Sequence, residues 1–414
     1  MTFKELHLIN PIQEALNDLG YAAPTSIQEQ AIPEVLKGQD LVACAQTGTG
    51  KTGAFAIPII NYIHKIVGSA KKAKKIRTLV ITPTRELAHQ ISDSFNDYGK
   101  YTNIKSMVIY GGVSQNPQVD QLKKGIDVLI ATPGRLLDLH KQGFIDLNHL
   151  HHLVLDEADQ MLDMGFINDV KKIIKLTPEN RQTLMFSATM PIAVRELADA
   201  FLTKPKYIIV DPVSSTADNI TQKVYFVEKE DKRKLLYHII KNDGIKNALV
   251  FTRTKHGADN VVKALTKQGV TCAAIHGDKT QTSRQSVLEE FKNQEISILV
   301  ATDIAARGID IENLPYVINF DLPNISETYV HRIGRTGRAG NSGIALTFCG
   351  KDERVYLTEI ERLIRMKVKE IKDHPYPWNN ESAKVDAKPD LRNKKKKDNS
   401  RKSEASKKNK KRWY

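Results

Sequence analysis

The stretch His152-Leu153-Val154-Leu155-Asp156-Glu157-Ala158-Asp159 joins a short, mainly apolar run directly to a group of acidic residues. A run of this length without polar alternation predicts a strand that is buried on both faces of a parallel sheet. Ligands of parallel sheets bind at the carboxyl ends of the strands, which is where Asp156 and Glu157 stand. The stretch therefore predicts an α/β fold with a polar site along one edge of the sheet.

Similar short runs recur along the chain, each followed by a polar turn and a helix-like pattern. In the first half they are 41–44, 78–82, 107–110, 128–132, 153–155, 183–186 and 207–210, and in the second half 224–227, 248–252, 272–276, 298–302, 316–320 and 344–348. Strands that alternate with helices form parallel sheets with helices on both faces. The polar segment 211–219 separates the two sets and is interpreted as a linker. We therefore predict two tandem α/β domains, 1–210 and 220–372, followed by a disordered basic tail, 373–414.

The composition excludes several classes of protein. The apolar fraction of 41% and the charged fraction of 27% are typical of globular proteins. No run approaches the roughly 20 apolar residues that span a bilayer, and the N-terminus lacks a signal-peptide pattern, so we expect a cytoplasmic protein without membrane contact. Three cysteines, far apart in the chain, argue against a disulfide framework or a zinc site. No coiled-coil heptads are visible, and a monomer is expected.

Upstream of the acidic stretch, a glycine-rich loop follows the run 41–44. Glycines let a backbone wrap closely around phosphates, and the N-terminus of a following helix points N–H groups at them. In such a loop Lys51 reaches the β and γ phosphates and the Thr52 hydroxyl holds Mg²⁺. Taken alone, the loop is also compatible with a surface turn, because Ala45 departs from the simple phosphate-loop pattern. The predicted nucleotide-binding residues here are Ala45, Gln46, Thr47, Gly48, Thr49, Gly50, Lys51 and Thr52.

The acidic pair supplies the remaining chemistry of a nucleotide site in the first domain. Mg²⁺ is a hard cation that prefers oxygen ligands, which suits Asp156 as a direct or water-mediated ligand. Glu157 is placed to activate an attacking water. The alternative is a pair of acids that only stabilises a helix N-terminus. A phosphate loop earlier in the same sheet favours the catalytic interpretation.

A third motif, 331–338, lies in the second domain and repeats arginine every third residue, at Arg332, Arg335 and Arg338, with glycines between them. Guanidinium groups suit the charge that develops on a transferring phosphoryl group. Solvated surface arginines are the alternative, but this spacing favours an anion pocket. If Arg335 and Arg338 act on ATP, the nucleotide lies between the domains and hydrolysis requires domain closure.

With these motifs the chain resembles the DEAD-box RNA helicases, over a two-domain core from about residue 3 to residue 370. The resemblance also rests on motifs that follow the family's order: Phe3 with 20–28, 83–88, 111–112, 132–135, 187–189, 250–254, 281–284 and 301–310. Ala45 is normal in this family. The short N-terminus and the lysine-rich tail resemble the bacterial RhlE-like subgroup.

The resemblance implies two RecA-like domains that bind ATP with Mg²⁺ across their cleft. It implies that Gln28 selects adenine, as a glutamine amide can, with Phe3 stacking on the base. Taken alone, Gln28 is also compatible with an exposed helix position. Gly308 and Asp310 are implied nucleotide contacts, and Ser187, Thr189 and His331 are implied to couple hydrolysis to strand separation. The implied contacts to the RNA backbone, each also compatible with an ordinary turn or cap, are Pro83, Thr84, Arg85, Gly112, Thr132, Pro133, Gly134, Arg135, Arg253, Gly277, Arg284 and Thr302.

The implied function is an RNA-stimulated ATPase in which domain closure bends one strand and opens short duplexes locally. Two alternatives stay open: an ATP-gated RNA clamp or ribonucleoprotein remodeller with little unwinding, and a DNA-directed ATPase or other phosphate-loop enzyme. The tail holds most of the net charge of +14, because residues 391–414 contain 12 Lys or Arg and 2 Asp or Glu. We predict that it tethers RNA by counterion release, although most charge runs are merely solvated. Ribosome-assembly or RNA-decay proteins are compatible partners.

Overall fold

The computed structural model describes residues 1–45, 48–67, 75–210, 220–306, 309, 311, 313–337 and 343–378. The predicted linker 211–219 and residues 379–414 of the predicted tail lie outside the described residues. The same holds for five predicted site residues, namely Gln46, Thr47, Gly308, Asp310 and Arg338. The first residues of the predicted tail are ordered instead, because the ring of His374 lies 5.5 Å from that of Tyr225 and Tyr376 packs against the core of the second half.

The first half of the chain forms a seven-stranded, wholly parallel sheet in the order β3-β4-β2-β5-β6-β1-β7. Its strands are β1 Leu41–Cys44, β2 Thr78–Ile81, β3 Ser106–Ile109, β4 Val128–Ala131, β5 His152–Leu155, β6 Gln182–Ser187 and β7 Lys206–Ile209. Its helices are a 3₁₀ helix Phe3–Leu6, then α1 Asn10–Asp18, α2 Ser26–Leu36, α3 Lys51–Val67, α4 Arg85–Tyr98, α5 Asn116–Lys123, α6 Pro133–Lys141, α7 Ala158–Asp163, α8 Ile167–Lys175 and α9 Ile192–Phe201.

The second half forms another seven-stranded parallel sheet, in the order β10-β11-β9-β12-β13-β8-β14. Its strands are β8 Ile220–Phe226, β9 Ala248–Thr252, β10 Cys272–Ile275, β11 Ile298–Thr302, β12 Tyr316–Asn319, β13 Gly343–Cys349 and β14 Lys369–Glu370. Its helices are α10 Lys232–Asn242, α11 Lys255–Thr266, α12 Gln281–Lys292, α13 Asp303–Ala306, α14 Ser326–Ile333, a 3₁₀ helix Lys351–Glu353 and α15 Arg354–Ile364.

Helices cover both faces of each sheet, which explains the unbroken apolar runs. Every residue of β2, β4, β5 and β6 is buried. On one face of the first sheet, Phe186 of β6 packs against Phe55 of α3, with ring centroids 5.2 Å apart. The other face packs on the apolar residues of α6, α8 and α9. The prediction of two tandem α/β domains with parallel sheets is confirmed.

The strand register brings the polar motifs of the first half to one edge of the sheet. Cys44, the last residue of β1, pairs with Ser187 at the end of β6, and Leu155 of β5 pairs with Met185 of β6. The segments that follow β1, β5 and β6 are therefore neighbours. In the described part of the chain, none of the helices combines the length and the apolar composition needed to span a bilayer.

Candidate nucleotide site and nucleic-acid interface

The described part of the glycine-rich loop leads directly into α3. Gly48 and Gly50 have φ angles of 81° and 95°, a left-handed conformation that favours glycine. Lys51 is the first residue of α3, and its side chain is only 5% exposed. The described part of the loop and the helix N-terminus thus suit a phosphate-binding site.

Lys51 and Glu157 form a buried ion pair that joins the loop to the acidic stretch. Lys51 Nζ donates a hydrogen bond to Glu157 Oε1 at 3.1 Å, and Gln160 Nε2 donates to Glu157 Oε2 at 2.9 Å. The Glu157 side chain is 2% exposed. Both carboxylate oxygens of the predicted base are therefore held in place by protein donors.

The charges of this site alter one another strongly. Burial raises the pKa of Asp156 to about 7, against the opposing effect of Lys51. Burial alone would raise the pKa of Glu157, but Lys51, His331 and Arg335 together lower it below its ordinary value. Burial alone would lower the pKa of Lys51, but Glu157, Asp156 and Asp159 together raise it above its ordinary value. The pair is accordingly a charged one, with Glu157 ionised.

Glu157 also has an uncommon backbone conformation. Its φ and ψ angles are 53° and 52°, in the left-handed region, and its N–H donates to Asp156 Oδ1 at 3.0 Å. For a residue with a Cβ this conformation costs roughly 1–2 kcal/mol. It turns the chain from β5 into α7 so that the carboxylate of Glu157 meets Lys51.

The two predicted adenine contacts are both buried within the protein. Gln28 is 4% exposed, so it is not an exposed helix position. Its Oε1 accepts a hydrogen bond from the Thr25 N–H at 3.0 Å, and its Nε2 donates to the Gly50 carbonyl at 3.1 Å. Phe3 is 6% exposed and belongs to the apolar core. Gln28 thus links α2 to the phosphate loop, and adenine recognition by either residue stays a prediction.

Asp159 connects the acidic stretch to the segment after β6. Its Oδ2 accepts hydrogen bonds from the N–H and the hydroxyl of Thr189, both at 2.8 Å, and its own N–H donates to Ser187 Oγ at 3.1 Å. Movement of α7 would therefore be transmitted to residues 187–189. This contact supports the predicted coupling role of Ser187 and Thr189 without testing it.

The second half contributes positive charge near Glu157. Arg335 is 7% exposed, and its Nη1 donates to the Ile309 carbonyl at 2.9 Å. His331 Nε2 is buried and finds no hydrogen-bond partner among the described residues. Both residues contribute to lowering the pKa of Glu157, after Lys51.

Arg332 does not belong to an anion pocket, contrary to the prediction from its spacing. It is 1% exposed, and its guanidinium binds both oxygens of Asp303, at 2.5 Å and 2.8 Å. The remaining guanidinium nitrogen, Nη1, donates to Asn319 Oδ1 at 3.1 Å and to the Asp321 carbonyl at 2.6 Å. Arg332 instead ties α14 to the ends of β11 and β12.

Replacement of Arg332 is expected to destabilise the second half of the protein. Arg332→Met removes the cation but leaves the acceptors of Asp303, Asn319 and Asp321 without a partner. We expect the free energy of unfolding to fall by about 3 kcal/mol, measured by urea unfolding. Arg233→Met, at an exposed position of α10, is the matched control and should change it by less than about 0.5 kcal/mol. Equal stability of the two variants would contradict a structural role for Arg332.

Many predicted RNA contacts lie around one open cleft of about 470 Å³. Arg135 Nη1 and Arg284 Nε are buried and have no hydrogen-bond partner among the described residues. Buried donors without partners are costly, so a bound anion would satisfy them. The predicted residues that line the cleft are Pro83, Thr84, Arg85, Thr132, Gly134, Arg135 and Arg284.

Gly112 lies beside this cleft and packs against Arg85. Its φ angle is 75°, and a Cβ at this position would collide with the Arg85 guanidinium. Thr84 caps α4 by accepting a hydrogen bond from the Leu87 N–H at 3.3 Å, and Pro133 begins α6. The turn and cap interpretations therefore hold together with the predicted RNA contacts.

A polar cluster joins the two halves at the cleft. Arg284 Nη2 lies 2.8 Å from Glu86 Oε1, and Gln281 Nε2 donates to the same oxygen at 3.2 Å. Arg85 Nη1 in turn donates to Gln281 Oε1 at 3.4 Å. The cluster couples α4, which carries predicted RNA contacts, to α12.

The other predicted RNA contacts do not line this cleft. Arg253 Nη2 is bound to Glu353 Oε1 and to the Leu322 carbonyl, both at 2.9 Å. Gly277 follows β10, and Thr302 ends β11. A role in RNA binding for these three residues stays a prediction.

Sequence reasoning assigned no role to Gln160, Asp159 or Glu86. A signal existed for Gln160, because it follows Glu157 by three residues and such residues share one helix face. Asp159 stood in the acidic stretch, but its partner Thr189 is 30 residues away. Glu86 stood in the motif 83–88, but its partners Arg284 and Gln281 belong to the other half.

The donor set fits a divalent cation. Asp156 is an almost fully buried carboxylate, and Thr52 offers a half-buried hydroxyl in the first turn of α3. Carboxylate and hydroxyl oxygens are the ligands that Mg²⁺ prefers.

Comparisons with known proteins identify two matching family models. Residues 25–197 match the model described as DEAD/DEAH box helicase, and residues 231–340 match the model described as helicase conserved C-terminal domain. The chain is 43% identical over 373 residues to the DEAD-box ATP-dependent RNA helicase CshA of Geobacillus kaustophilus, which covers 90% of this chain and 78% of the relative. It is 41% identical over 375 residues to CshA of Bacillus subtilis, with 90% and 74% covered.

A solved structure of a known protein has a similar fold. Saccharomyces cerevisiae Dbp5 bound to RNA and ADP BeF3 has a TM-score of 0.79 and 28% identity, covering 89% of this chain and 95% of that one. The likeness confirms the prediction of tandem RecA-like domains. The relatives reported above are named CshA, so the comparisons support the predicted family but not the RhlE-like subgroup.

Proposed function

Since this chain belongs to the family of DEAD-box ATP-dependent RNA helicases, we propose that it couples ATP hydrolysis to closure of its two halves on RNA. Closure bends one strand, so that short duplexes open locally and without processive movement. The observation that carries the proposal is the buried pair of Lys51 and Glu157 in the electrostatic reach of His331 and Arg335. Such an arrangement supports a reaction in which residues of both halves take part.

Lys51 and Glu157 change partners when ATP binds. The ammonium group of Lys51 moves from Glu157 to the β and γ phosphates. Glu157 then loses the strongest influence that lowers its pKa, while burial continues to raise it. The carboxylate becomes a stronger base when the substrate is present, and it accepts a proton from the attacking water. Gln160 keeps it oriented through the bond to Oε2.

The second half supplies the charge that the transition state needs. Arg335, and with it Arg338, stabilises negative charge that builds on the transferring phosphoryl group. Because these arginines follow α14 of the second half, hydrolysis requires closure. Thr52 and Asp156 would hold Mg²⁺, which supplies charge neutralisation for the phosphates. The coupling residues His331, Ser187 and Thr189 would transmit this state to bound RNA, and Asp159 links Ser187 and Thr189 to α7.

RNA binds along the cleft that contains Arg135 and Arg284. Their unpartnered N–H groups suit phosphate oxygens, which position a strand without reading its sequence. The Glu86–Arg284 contact supports a cleft that is completed only when both halves meet. A monomer, a cytoplasmic location, the RhlE-like subgroup, the domain bounds 1–210 and 220–372, and ribosome-assembly or RNA-decay proteins as partners stay predictions from the sequence.

The decisive experiment is steady-state ATPase activity without nucleic acid, with single-stranded RNA and with single-stranded DNA, at two salt concentrations. We expect stimulation by RNA, because RNA stabilises the closed state that brings Arg335 to ATP. Equal turnover in all three conditions would refute RNA-gated closure. Stimulation by DNA alone would support a DNA-directed ATPase instead. An unwinding assay on a short duplex then separates a helicase from an RNA clamp.

The same proposal predicts that ATP and RNA bind cooperatively. Both ligands favour closure, so each should increase the affinity for the other by the same factor, typically about 5- to 150-fold. Equilibrium titration of a non-hydrolysable ATP analogue, with and without RNA, measures this factor. Equal affinities would contradict coupling through closure.

Truncation after Asp373 is expected to weaken RNA binding and to flatten its dependence on salt. The removed residues include the 12 Lys or Arg of 391–414. Each phosphate contact that they make contributes about 0.7 to the slope of log affinity against log salt for a single strand. The measurement is RNA affinity over a salt series for the full chain and the truncated chain, with ATP affinity as the control. An unchanged slope would mean that the tail does not bind RNA.

A further inference from the structure

A second cavity lies at the edge of the first sheet that is opposite to the phosphate loop. Its volume is about 860 Å³, and it is lined by the C-terminal parts of α2 and α3 and by the first residues of β5 and β6. None of its lining residues belongs to the nucleotide site or to the RNA cleft described above. The volume falls within the range typical of small-molecule sites.

The wall between α2 and β6 is fixed by hydrogen bonds. Gln182 Nε2 donates to the Val35 carbonyl at 3.0 Å and to the Gln39 carbonyl at 2.7 Å. The Asp40 carboxylate accepts from the N–H groups of Thr183 and Thr203, at 2.8 Å and 2.7 Å. The cavity is therefore preformed rather than a gap between mobile segments.

A buried amide points an unused donor into this cavity. Asn61 is 2% exposed, and its Oδ1 accepts a hydrogen bond from the Ile9 N–H at 3.0 Å. This bond fixes the orientation of the amide, and its Nδ2 donates to no partner within the described ranges. This donor is not one of the fully buried polar atoms without a partner, so it keeps some exposure where Asn61 lines the cavity. An acceptor group bound in the cavity would provide it with a partner.

The cavity also contains a cation whose charge is poorly compensated. Arg181 Nε is buried and has no hydrogen-bond partner among the described residues, while its Nη1 donates to the Pro178 carbonyl at 2.5 Å. Burial lowers the pKa of Arg181, although Asp40 and Glu179 oppose this effect. Lys65, one helical turn after Asn61 on α3, adds an exposed ammonium group to the lining. Together with Lys37, these two cations outnumber the one acidic residue of the lining, Glu5, which suits an anion.

An aromatic and apolar surface stands beside these donors. Tyr62 is 37% exposed, and its ring lies perpendicular to that of His152 with centroids 4.7 Å apart. Burial lowers the pKa of His152 to about 3, so that its imidazole is neutral near pH 7. Leu36 is also 37% exposed and contributes to the lining. Planar apolar groups pack favourably on such a surface.

We propose that this cavity binds a small aromatic organic anion, with its ring against Tyr62 and its charged group at Arg181, Lys65 and the Asn61 amide. The mixture of charged and aromatic groups within a volume of about 860 Å³ favours a small molecule over a nucleic-acid backbone, which needs a long basic groove. The proposal is independent of the proposed function, because neither the nucleotide site nor the RNA cleft takes part in it.

The test is isothermal titration of the full chain with two aromatic anions and their uncharged counterparts. Guanosine 5′-monophosphate is compared with guanosine, and N-acetyltryptophan with its amide. We expect at least one anion to bind with a Kd below about 1 mM, and its counterpart to bind at least about tenfold more weakly. The two pairs distinguish a phosphate from a carboxylate. Failure of both anions to bind would overturn the proposal.

Substitutions in the lining test whether the anion binds in this cavity. Arg181→Met and Tyr62→Ala should each lower the affinity at least about tenfold. Arg195→Met, at an exposed position of α9, is the matched control and should leave it unchanged. RNA-stimulated ATPase activity shows that Arg181→Met is folded. Binding that survives Arg181→Met but is lost in Lys51→Ala would place the anion in the phosphate loop and refute the cavity.

Discussion

Glu157→Gln is expected to lower ATP turnover by about 10²- to 10⁴-fold while ATP and RNA still bind. The glutamine amide has the size of the carboxylate, and its oxygen can accept the hydrogen bond from Lys51 that now measures 3.1 Å. It cannot accept a proton from water at neutral pH. The variant therefore separates binding from proton transfer. Single-turnover hydrolysis with RNA measures the rate, and titration with a fluorescent ATP analogue measures the affinity.

Glu196→Gln, at an exposed position of α9, is the matched control and should keep wild-type turnover. Turnover of Glu157→Gln near the wild-type value would mean that another group activates the water. Loss of ATP binding in this variant would mean that Glu157 acts on nucleotide affinity, through Lys51 or the loop. Either result would remove the assignment of Glu157 as the general base.

Lys51→Ala is expected to lower ATP affinity at least about a hundredfold. The substitution removes the cation that leaves Glu157 and binds the phosphates of ATP. It should also destabilise the first half of the protein, since Glu157 is 2% exposed and loses its charged partner. Removing one member of a buried pair costs about 3–5 kcal/mol. Urea unfolding in the absence of nucleotide measures this second effect.

The double variant Lys51→Ala/Glu157→Gln separates the two effects of Lys51. Without a carboxylate to leave unpaired, it should recover most of the stability that the single variant loses. ATP binding should stay lost, because the phosphates still lack their cation. Recovery of neither property would show that Lys51 stabilises the loop through its packing and not through Glu157.

The apolar runs predict thirteen of the fourteen strands, because buried parallel strands need unbroken apolar residues that a sequence displays directly. They miss β14, since Lys369-Glu370 joins the sheet through its backbone alone. Strand β8 begins at Ile220, earlier than the run 224–227, because its first residues alternate between buried and exposed positions. Patterns thus identify the central strands better than the edges of the sheet.

The sequence likewise predicts only part of the candidate site. Lys51 and Glu157 come together as their positions after β1 and β5 predict, because sheet order brings the ends of these strands to one edge. The sequence does not reveal that Arg332 forms an ion pair with Asp303. Equal spacing gives Arg332, Arg335 and Arg338 the same sequence pattern. The sequence also does not reveal the bond of Gln28 to the Gly50 carbonyl, because that contact depends on how α2 packs against α3.

The left-handed backbone at Glu157 has a consequence for how this sequence can evolve. A residue with φ of 53° and a buried charge is a poor choice for a stable fold, and glycine or asparagine would adopt the turn with less strain. Either substitution at residue 157 is therefore expected to raise the free energy of unfolding while it removes the carboxylate, so stability and turnover make opposite demands on this position.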